Sequence, residues 1–119
     1  MTEKSGFTIY HNPGCGTSRN ALARLRAAGH EPRVVEYLKA GWTRSQLEAL
    51  LAAMSARPRD ILRVRGTPAE DLGLTGPDAS DSAILKAMTE HPALVERPIV
   101  VTPKGTLLAR PVEKLEALL

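Results

Sequence analysis

The sequence predicts an α/β protein built on a mixed four-stranded sheet with helices on its faces. A short apolar segment at residues 7–10 runs into a helical pattern across a Pro-Gly break. A second β-branched segment follows within about thirty residues, which completes a strand–helix–strand unit. Two further apolar segments near the end of the chain are separated by a tight turn at residues 103–105. The first arrangement makes strands parallel and the second makes them antiparallel, so the sheet is expected to be mixed.

The first strand, residues 7–10, is followed by Asn12-Pro13-Gly14 and then by an amphipathic helix. The apolar face of this helix is expected to carry Ala21, Leu22, Leu25 and Ala28. Thr17 and Ser18 are the expected N-cap residues, because their hydroxyls accept hydrogen bonds from nearby backbone N–H groups. The segment Pro32–Leu38 is rich in β-branched and aromatic residues and is interpreted as the second strand, parallel to the first.

The middle of the chain, about residues 43–96, is predicted to be a helical insert. Thr43 and Gln46 form a capping-box pattern, and leucines follow at helical spacing. Further helices are expected from Pro58, over Thr67–Gly73, and from Asp78 or Ser80 to Glu90.

The last part of the chain is predicted to form a hairpin and a final helix. Its strands are Pro98–Thr102 and Thr106–Arg110, and a short helix is expected over Val112–Leu119. The resulting order is β-α-β, a helical insert and then β-β-α, which is the thioredoxin-like layout. Residues 1–119 are accordingly interpreted as one domain with an insert.

Composition limits the class of protein. The 119 residues carry a net charge of +3 and are 43% hydrophobic, which is typical of a globular protein. Four aromatic residues are too few for a nucleic-acid stacking platform, so no nucleic acid is expected. Neither a leader segment nor a membrane span is recognised, and a cytoplasmic location is expected. Eleven arginines against five lysines suit the bidentate recognition of oxyanions.

The one cysteine of the chain, Cys15, lies where the first strand breaks and the helix begins. The first turn of a helix has N–H groups without intrahelical partners and carries about half a positive charge. A thiol at this point has a stabilised thiolate, so its pKa should be lower than the ordinary value. The same N–H groups form a site for a tetrahedral oxyanion. The alternative is a small buried hydrophobic cysteine, but the flanking Gly and Pro favour the reactive interpretation.

The residues after Cys15 give Cys-x-x-Ser, so the loop has no second thiol, and the chain has none elsewhere. An oxidised or adducted Cys15 therefore needs an external thiol to complete a reaction. This is the strongest functional inference from the residues alone.

Three arginines lie at ends of predicted elements: Arg63, Arg97 and Arg110. Arg97 and Arg110 each precede a proline, which favours extended geometry and places them at strand ends. Guanidinium groups near Cys15 would orient an anionic substrate through paired hydrogen bonds. Each arginine considered alone is better interpreted as a solvated surface residue, and only the combination with Cys15 favours substrate binding.

His11 precedes Cys15 by four residues and has two interpretations. A protonated His11 would favour the thiolate by its charge, whereas a neutral one would simply end the strand. His11, Asn12 and Ser18 are the predicted supporting residues of the loop. No metal-ligand spacing and no Gly-rich nucleotide loop are present in the sequence, so no bound cofactor is expected.

Three segments together resemble one family: HNPGCGTSRN, ILRVRGTPAEDLGL and ERPIVVTPKGTLLARP. They are similar to the glutaredoxin-coupled arsenate reductases of the ArsC type, over nearly the whole chain from Thr8 to about Leu115. The resemblance implies that Cys15 is the nucleophile and that Arg63, Arg97 and Arg110 bind the substrate. It also implies a cis Arg97–Pro98 peptide.

The resemblance implies a function in arsenic detoxification: Cys15 attacks arsenate, glutathione attacks the adduct, glutaredoxin resolves the mixed disulfide, and arsenite is released. Glutathione would be a co-substrate and glutaredoxin a partner protein. Two alternatives remain at this point. One is a related glutathione-dependent thiol oxidoreductase acting on another oxyanion or on mixed disulfides. The other is a regulator of the Spx kind, which binds RNA polymerase, although such relatives usually carry Cys-x-x-Cys, where this chain has Ser18.

Overall fold

The computed structural model describes residues 6–119, which divide into two compact units. The first contains the chain up to Ala40 together with Arg97–Leu119, and the second contains Gly41–Glu96. The interpretation of residues 1–119 as one domain with an insert stays a prediction. The expectation that the chain begins without a leader concerns mainly residues 1–5, which lie outside the described residues.

The first unit contains a mixed four-stranded sheet, which confirms the predicted fold class. Its strands are β1 (Thr8–His11), β2 (Arg33–Glu36), β3 (Ile99–Thr102) and β4 (Gly105–Leu108), arranged in the order β2-β1-β3-β4. The pair β1–β2 is parallel, whereas β1–β3 and β3–β4 are antiparallel. The crossover from β1 to β2 and the tight turn between β3 and β4 are those predicted from the sequence.

The second strand is shorter than predicted. It ends at Glu36, and Tyr37–Ala40 forms a one-turn helix, α2, instead of extending the strand. The last pair between the two parallel strands is His11 with Glu36. After His11 the chain turns away at Pro13, so residues 37 and 38 have no β1 neighbour with which to pair. The prediction that Tyr37 and Leu38 belong to the strand was therefore wrong.

The helix α1 (Gly16–Ala27) follows β1 and packs against a 3-10 helix at Val112–Leu118. The chain leaves the helix through Gly29 at φ +90°, a conformation that glycine adopts without strain. Ala28 lies beyond the helix and is exposed, contrary to its predicted place on the apolar face. The core of this unit consists of Phe7, Ile9, Ala21, Leu25, Val100, Ala109, Val112 and Leu115.

The second unit is built from α3 (Arg44–Met54), α4 (Asp81–Glu90) and two short 3-10 helices, Pro58–Ile61 and Pro92–Leu94. The capping box at α3 is confirmed, because Thr43 Oγ1 accepts from the Gln46 N–H at 3.1 Å and Gln46 Oε1 accepts from the Thr43 N–H at 3.3 Å. Ser80, one of the two predicted caps, begins α4. The buried side chains of the unit include Leu47, Leu50, Leu51, Ile61, Ile84, Met88 and Leu94.

The helix predicted over Thr67–Gly73 is absent, and successive turns take its place. Thr67 Oγ1 accepts from the Ala69 N–H, two residues ahead, at 3.3 Å, and donates to the Arg63 carbonyl at 2.7 Å. A hydroxyl that accepts from the N–H two residues ahead can cap either a helix or a turn, and here the residues that follow form turns. The capping-box pattern was therefore misleading here.

We expect the Thr43→Ala variant to lose about 1 kcal/mol of free energy of unfolding, because it lacks the hydroxyl that accepts from the Gln46 N–H at the start of α3. Thr43→Ser keeps the hydroxyl and should stay close to the wild type. Urea denaturation of the three proteins measures the difference. Equal stability of Thr43→Ala and the wild type would contradict the prediction.

Candidate active site

Cys15 lies in a loop whose backbone is held by hydrogen bonds within the segment from Asn12 to Arg19. The Cys15 N–H donates to the Asn12 carbonyl at 3.0 Å, and the Gly14 N–H donates to Asn12 Oδ1 at 2.9 Å. The Cys15 carbonyl accepts from the Arg19 N–H at 2.9 Å and so begins α1. Cys15 itself is the N-cap residue. The sulfur therefore stands at the positive end of the helix.

The expected N-cap roles of Thr17 and Ser18 were wrong, because both residues lie inside the first turn of α1. Their backbone N–H groups face the sulfur instead. Partial burial raises the pKa of Cys15. Four interactions lower the pKa: the hydrogen bond from the Arg97 side chain, the hydrogen bond from the Ser18 N–H, the positive charge of Arg97, and the hydrogen bond from the Thr17 N–H. The lowering outweighs the raising, and the pKa of Cys15 comes to about 7. A large fraction of this thiol is therefore ionised at neutral pH.

Arg97 and Arg110 meet at Cys15 because β3 and β4 are paired. Ile99 is opposite Leu108, and the Ala109 N–H donates to the Pro98 carbonyl at 2.9 Å. The residues just outside these pairs are the two arginines. The Arg97–Pro98 peptide is cis, as the resemblance implied, and so is Arg110–Pro111.

The two guanidinium groups contact the sulfur in different ways. Arg97 lowers the pKa of Cys15 through both a hydrogen bond and its charge. Arg110 Nη1 lies 3.8 Å from Cys15 Sγ, at the long end for an N–H···S hydrogen bond, and donates to the Arg97 carbonyl at 3.1 Å. The Nε of Arg97 is buried and has no hydrogen-bond partner among residues 6–119. Donors of this kind beside a thiolate suit an anionic ligand.

His11 supports the loop as a neutral residue. It is buried at the end of β1, and its Nδ1 lies 2.6 Å from Ser18 Oγ. Ser18 Oγ also accepts from the Asn12 N–H at 3.0 Å. Burial lowers the pKa of His11; Arg26 and Arg19 lower it further, and the opposing effect of Glu36 is smaller than that of burial. A charge on His11 is therefore disfavoured at neutral pH, and the interactions that lower the pKa of Cys15 come from Arg97 and backbone amides.

Arg63 belongs to the second unit and does not rest on the surface as an isolated cation. Its Nη1 pairs with Glu96 Oε1 at 2.8 Å, and the side chains are only 16% and 24% exposed. The Arg63 N–H donates to the Leu94 carbonyl at 2.7 Å, and the Glu96 N–H donates to the Ile61 carbonyl at 2.8 Å. The partnership with Glu96 had no signal in the sequence, since the two residues are 33 positions apart. The substrate-binding role of Arg63 stays a prediction.

Within residues 6–119, no cluster of three or more His, Cys, Asp or Glu side chains could hold a metal ion. Over the same residues, no helix has the length and apolar character that crossing a membrane requires.

The fold and the site define a thioredoxin-like protein with a single ionisable thiol beside two guanidinium groups. Residues 10–118 match the ArsC family, and the chain belongs to that family. It is 57% identical over 106 residues to the arsenate reductase of Rhizobium meliloti (strain 1021), which covers 89% of this chain and 76% of that protein. It is 48% identical over 109 residues to the arsenate reductase of Escherichia coli (strain K12). That match covers 92% of this chain and 77% of that protein.

A solved structure agrees with these relatives. The arsenate reductase from Vibrio cholerae superposes with a TM-score of 0.91 at 35% identity, over 98% of this chain and 100% of that one. The predicted family and its thioredoxin-like fold are thereby confirmed.

We expect Arg97→Gln to raise the pKa of Cys15 from about 7 toward the ordinary value of a free thiol, because the variant loses the cation that stabilises the thiolate. The rate of alkylation by iodoacetamide, measured against pH, reports this pKa. Arg33→Gln, at an exposed position on β2, is the matched control and should titrate as the wild type. An unchanged pKa in Arg97→Gln would contradict the assignment.

His11 should make the stability of the protein depend on pH. Its pKa is lower in the folded protein than the ordinary 6.5, so the unfolded chain binds the proton more readily. The stability that neutral His11 contributes is present above pH 6.5 and is lost as the pH falls through the lower, folded-state pKa. Free energies of unfolding measured across this range should fall less steeply for His11→Gln than for the wild type. Parallel curves would disprove the burial effect.

Proposed function

We propose that this chain is an arsenate reductase that uses glutathione and glutaredoxin to complete each turnover. The observation that carries the proposal is the Cys15 thiol, with a pKa of about 7, held beside Arg97 and Arg110. The named arsenate reductases that the chain matches support the substrate. The coupling to glutathione and glutaredoxin is supported by the resemblance and by the presence of a single cysteine.

In the first step, the Cys15 thiolate attacks the arsenic of arsenate. A sulfur–arsenic bond forms, an arsenic–oxygen bond breaks, and the departing oxygen leaves as water after protonation. Arg97, Arg110 and the N–H groups of Thr17 and Ser18 stabilise the anionic charge of the adduct. Arg63 is proposed as the third substrate-binding cation.

In the second step, a glutathione thiolate attacks the Cys15 sulfur. A disulfide bond forms as the sulfur–arsenic bond breaks, and its electron pair remains on arsenic. Arsenic(V) is reduced to arsenic(III), which leaves as arsenite, and the two sulfurs are oxidised to a mixed disulfide. The chain has no second cysteine with which to resolve this disulfide internally.

In the third step, a glutaredoxin thiolate attacks the glutathione sulfur of the mixed disulfide. Cys15 leaves as a thiolate and is ready for another arsenate. A thiol of low pKa is a good leaving group, so the interactions that activate Cys15 as a nucleophile also favour its release. We place the reaction in the cytoplasm, where thiols are kept reduced.

The proposal predicts that Cys15→Ser abolishes arsenate reduction, because the serine hydroxyl is not ionised at neutral pH. The assay follows NADPH consumption with arsenate, glutathione, glutaredoxin and glutathione reductase present.

Arg110→Gln should lower kcat/KM for arsenate by roughly a hundredfold, the order expected for the loss of one anion-stabilising donor. Arg33→Gln again serves as the control.

Arsenate reduction by Cys15→Ser would refute the proposal. A substrate panel at equal enzyme concentration distinguishes the alternatives. Faster reduction of a glutathione mixed disulfide, or of another oxyanion, than of arsenate would assign the chain to the related thiol oxidoreductases.

A further inference from the structure

The pair formed by Arg63 and Glu96 is the least exposed ion pair within residues 6–119. Nη1 of Arg63 lies 2.8 Å from Oε1 of Glu96, and the two side chains are 16% and 24% exposed. In each of the other pairs the carboxylate side chain is at least 41% exposed. Water and salt weaken an exposed pair, and this screening is smaller for an enclosed one. Glu96 is therefore able to hold the Arg63 side chain.

The backbone on either side of this pair is fixed by hydrogen bonds. The Arg63 N–H donates to the Leu94 carbonyl at 2.7 Å, and the Arg63 carbonyl accepts from the Thr67 hydroxyl at 2.7 Å. The Glu96 N–H donates to the Ile61 carbonyl at 2.8 Å. The freedom that remains to Arg63 is therefore in its long side chain, and Glu96 restrains that side chain.

The contact with Glu96 leaves donors of Arg63 for a ligand. A guanidinium group has five N–H donors, and the hydrogen bond to Glu96 is made by Nη1. Nε and Nη2 form another edge of the same planar group, and such an edge matches two oxygens of an anion. A carboxylate on Nη1 therefore orients this edge without occupying it.

Glu96 directly precedes Arg97 in the chain. Arg97 stabilises the Cys15 thiolate by a hydrogen bond and by its charge. Two adjacent residues therefore carry the carboxylate that restrains Arg63 and the guanidinium group that stabilises the thiolate.

We propose that Glu96 is a positioning residue for arsenate, because its carboxylate holds the Arg63 guanidinium in the orientation that binds the anion before the anion arrives. An unrestrained arginine would lose its rotamer freedom at the moment of binding, and that loss weakens affinity. This inference rests on the proposed function, which assigns Arg63 to the arsenate site.

Orientation and charge have opposite effects here, since the negative charge of Glu96 by itself disfavours a bound anion. Three substitutions separate them in the complete coupled assay. Glu96→Gln keeps an oxygen acceptor without the charge, so KM for arsenate should stay at or below the wild-type value. Glu96→Ala removes the acceptor and should raise KM for arsenate about tenfold, with kcat close to the wild type. Glu96→Asp keeps the charge but withdraws the carboxylate by one methylene, and it should also raise KM.

Two further proteins complete this experiment. Arg63→Gln should raise KM for arsenate by itself, and Glu96→Ala should add nothing to that rise, because the two residues act through one contact. Glu48→Ala is the matched control, since it removes a more exposed glutamate that pairs with Arg44 at 3.6 Å, and its KM should equal that of the wild type.

An unchanged KM in Glu96→Ala would overturn the inference, as would a rise of the same size in the Arg63→Gln background. Phosphate, a tetrahedral anion that thiols do not reduce, measures binding without turnover when it protects Cys15 from iodoacetamide. Protection that Glu96→Ala weakens and Glu96→Gln keeps, in a protein that does not reduce arsenate, would support the inference and refute the proposed function. Arsenate reduction by a protein whose protection by phosphate is indifferent to Glu96 and Arg63 would refute the inference and leave arsenate reduction as the function.

Discussion

The site depends on the stabilisation of the Cys15 thiolate, which has to exceed the cost of burying its charge. Burial alone would keep Cys15 protonated, since a thiolate is poorly solvated there. Two backbone N–H groups and the Arg97 guanidinium reverse this preference. The backbone donors are available only because the strand ends where the helix begins. Without that junction, the same buried cysteine would remain protonated and act as a small apolar side chain.

The hairpin of β3 and β4 positions the two guanidinium groups that lie beside the sulfur. Antiparallel pairing places the beginning of one strand beside the end of the other, and Arg97 and Arg110 occupy those two positions. The hydrogen bond from Arg110 to the Arg97 carbonyl holds the two ends together. A site assembled in this way has its cations fixed by the sheet, so little reorganisation is needed when an anion binds.

Sequence patterns correctly predicted the elements that depend on local signals. They failed where contacts with other parts of the chain determine the structure. The capping box at Thr43 was confirmed, but the same pattern at Thr67 is followed by successive turns and not by a helix. The second strand was predicted too long because strand propensity continues through Tyr37, whereas the pairing partner does not. Ser18 was predicted to cap the helix, but its hydroxyl contacts His11 Nδ1 and accepts from the Asn12 N–H.

The amino-acid sequence by itself determined the order of strands and helices, the position of the lone thiol at a helix start, and the lack of a second cysteine that could pair with it. These follow from local periodicity, turn residues and the count of cysteines, which need no knowledge of distant contacts. Tertiary structure alone decided which arginines face the sulfur, that His11 is held in its neutral form, and that Arg63 pairs with Glu96. Burial and the pairing of residues far apart in the chain set these features, and neither is encoded in any short segment.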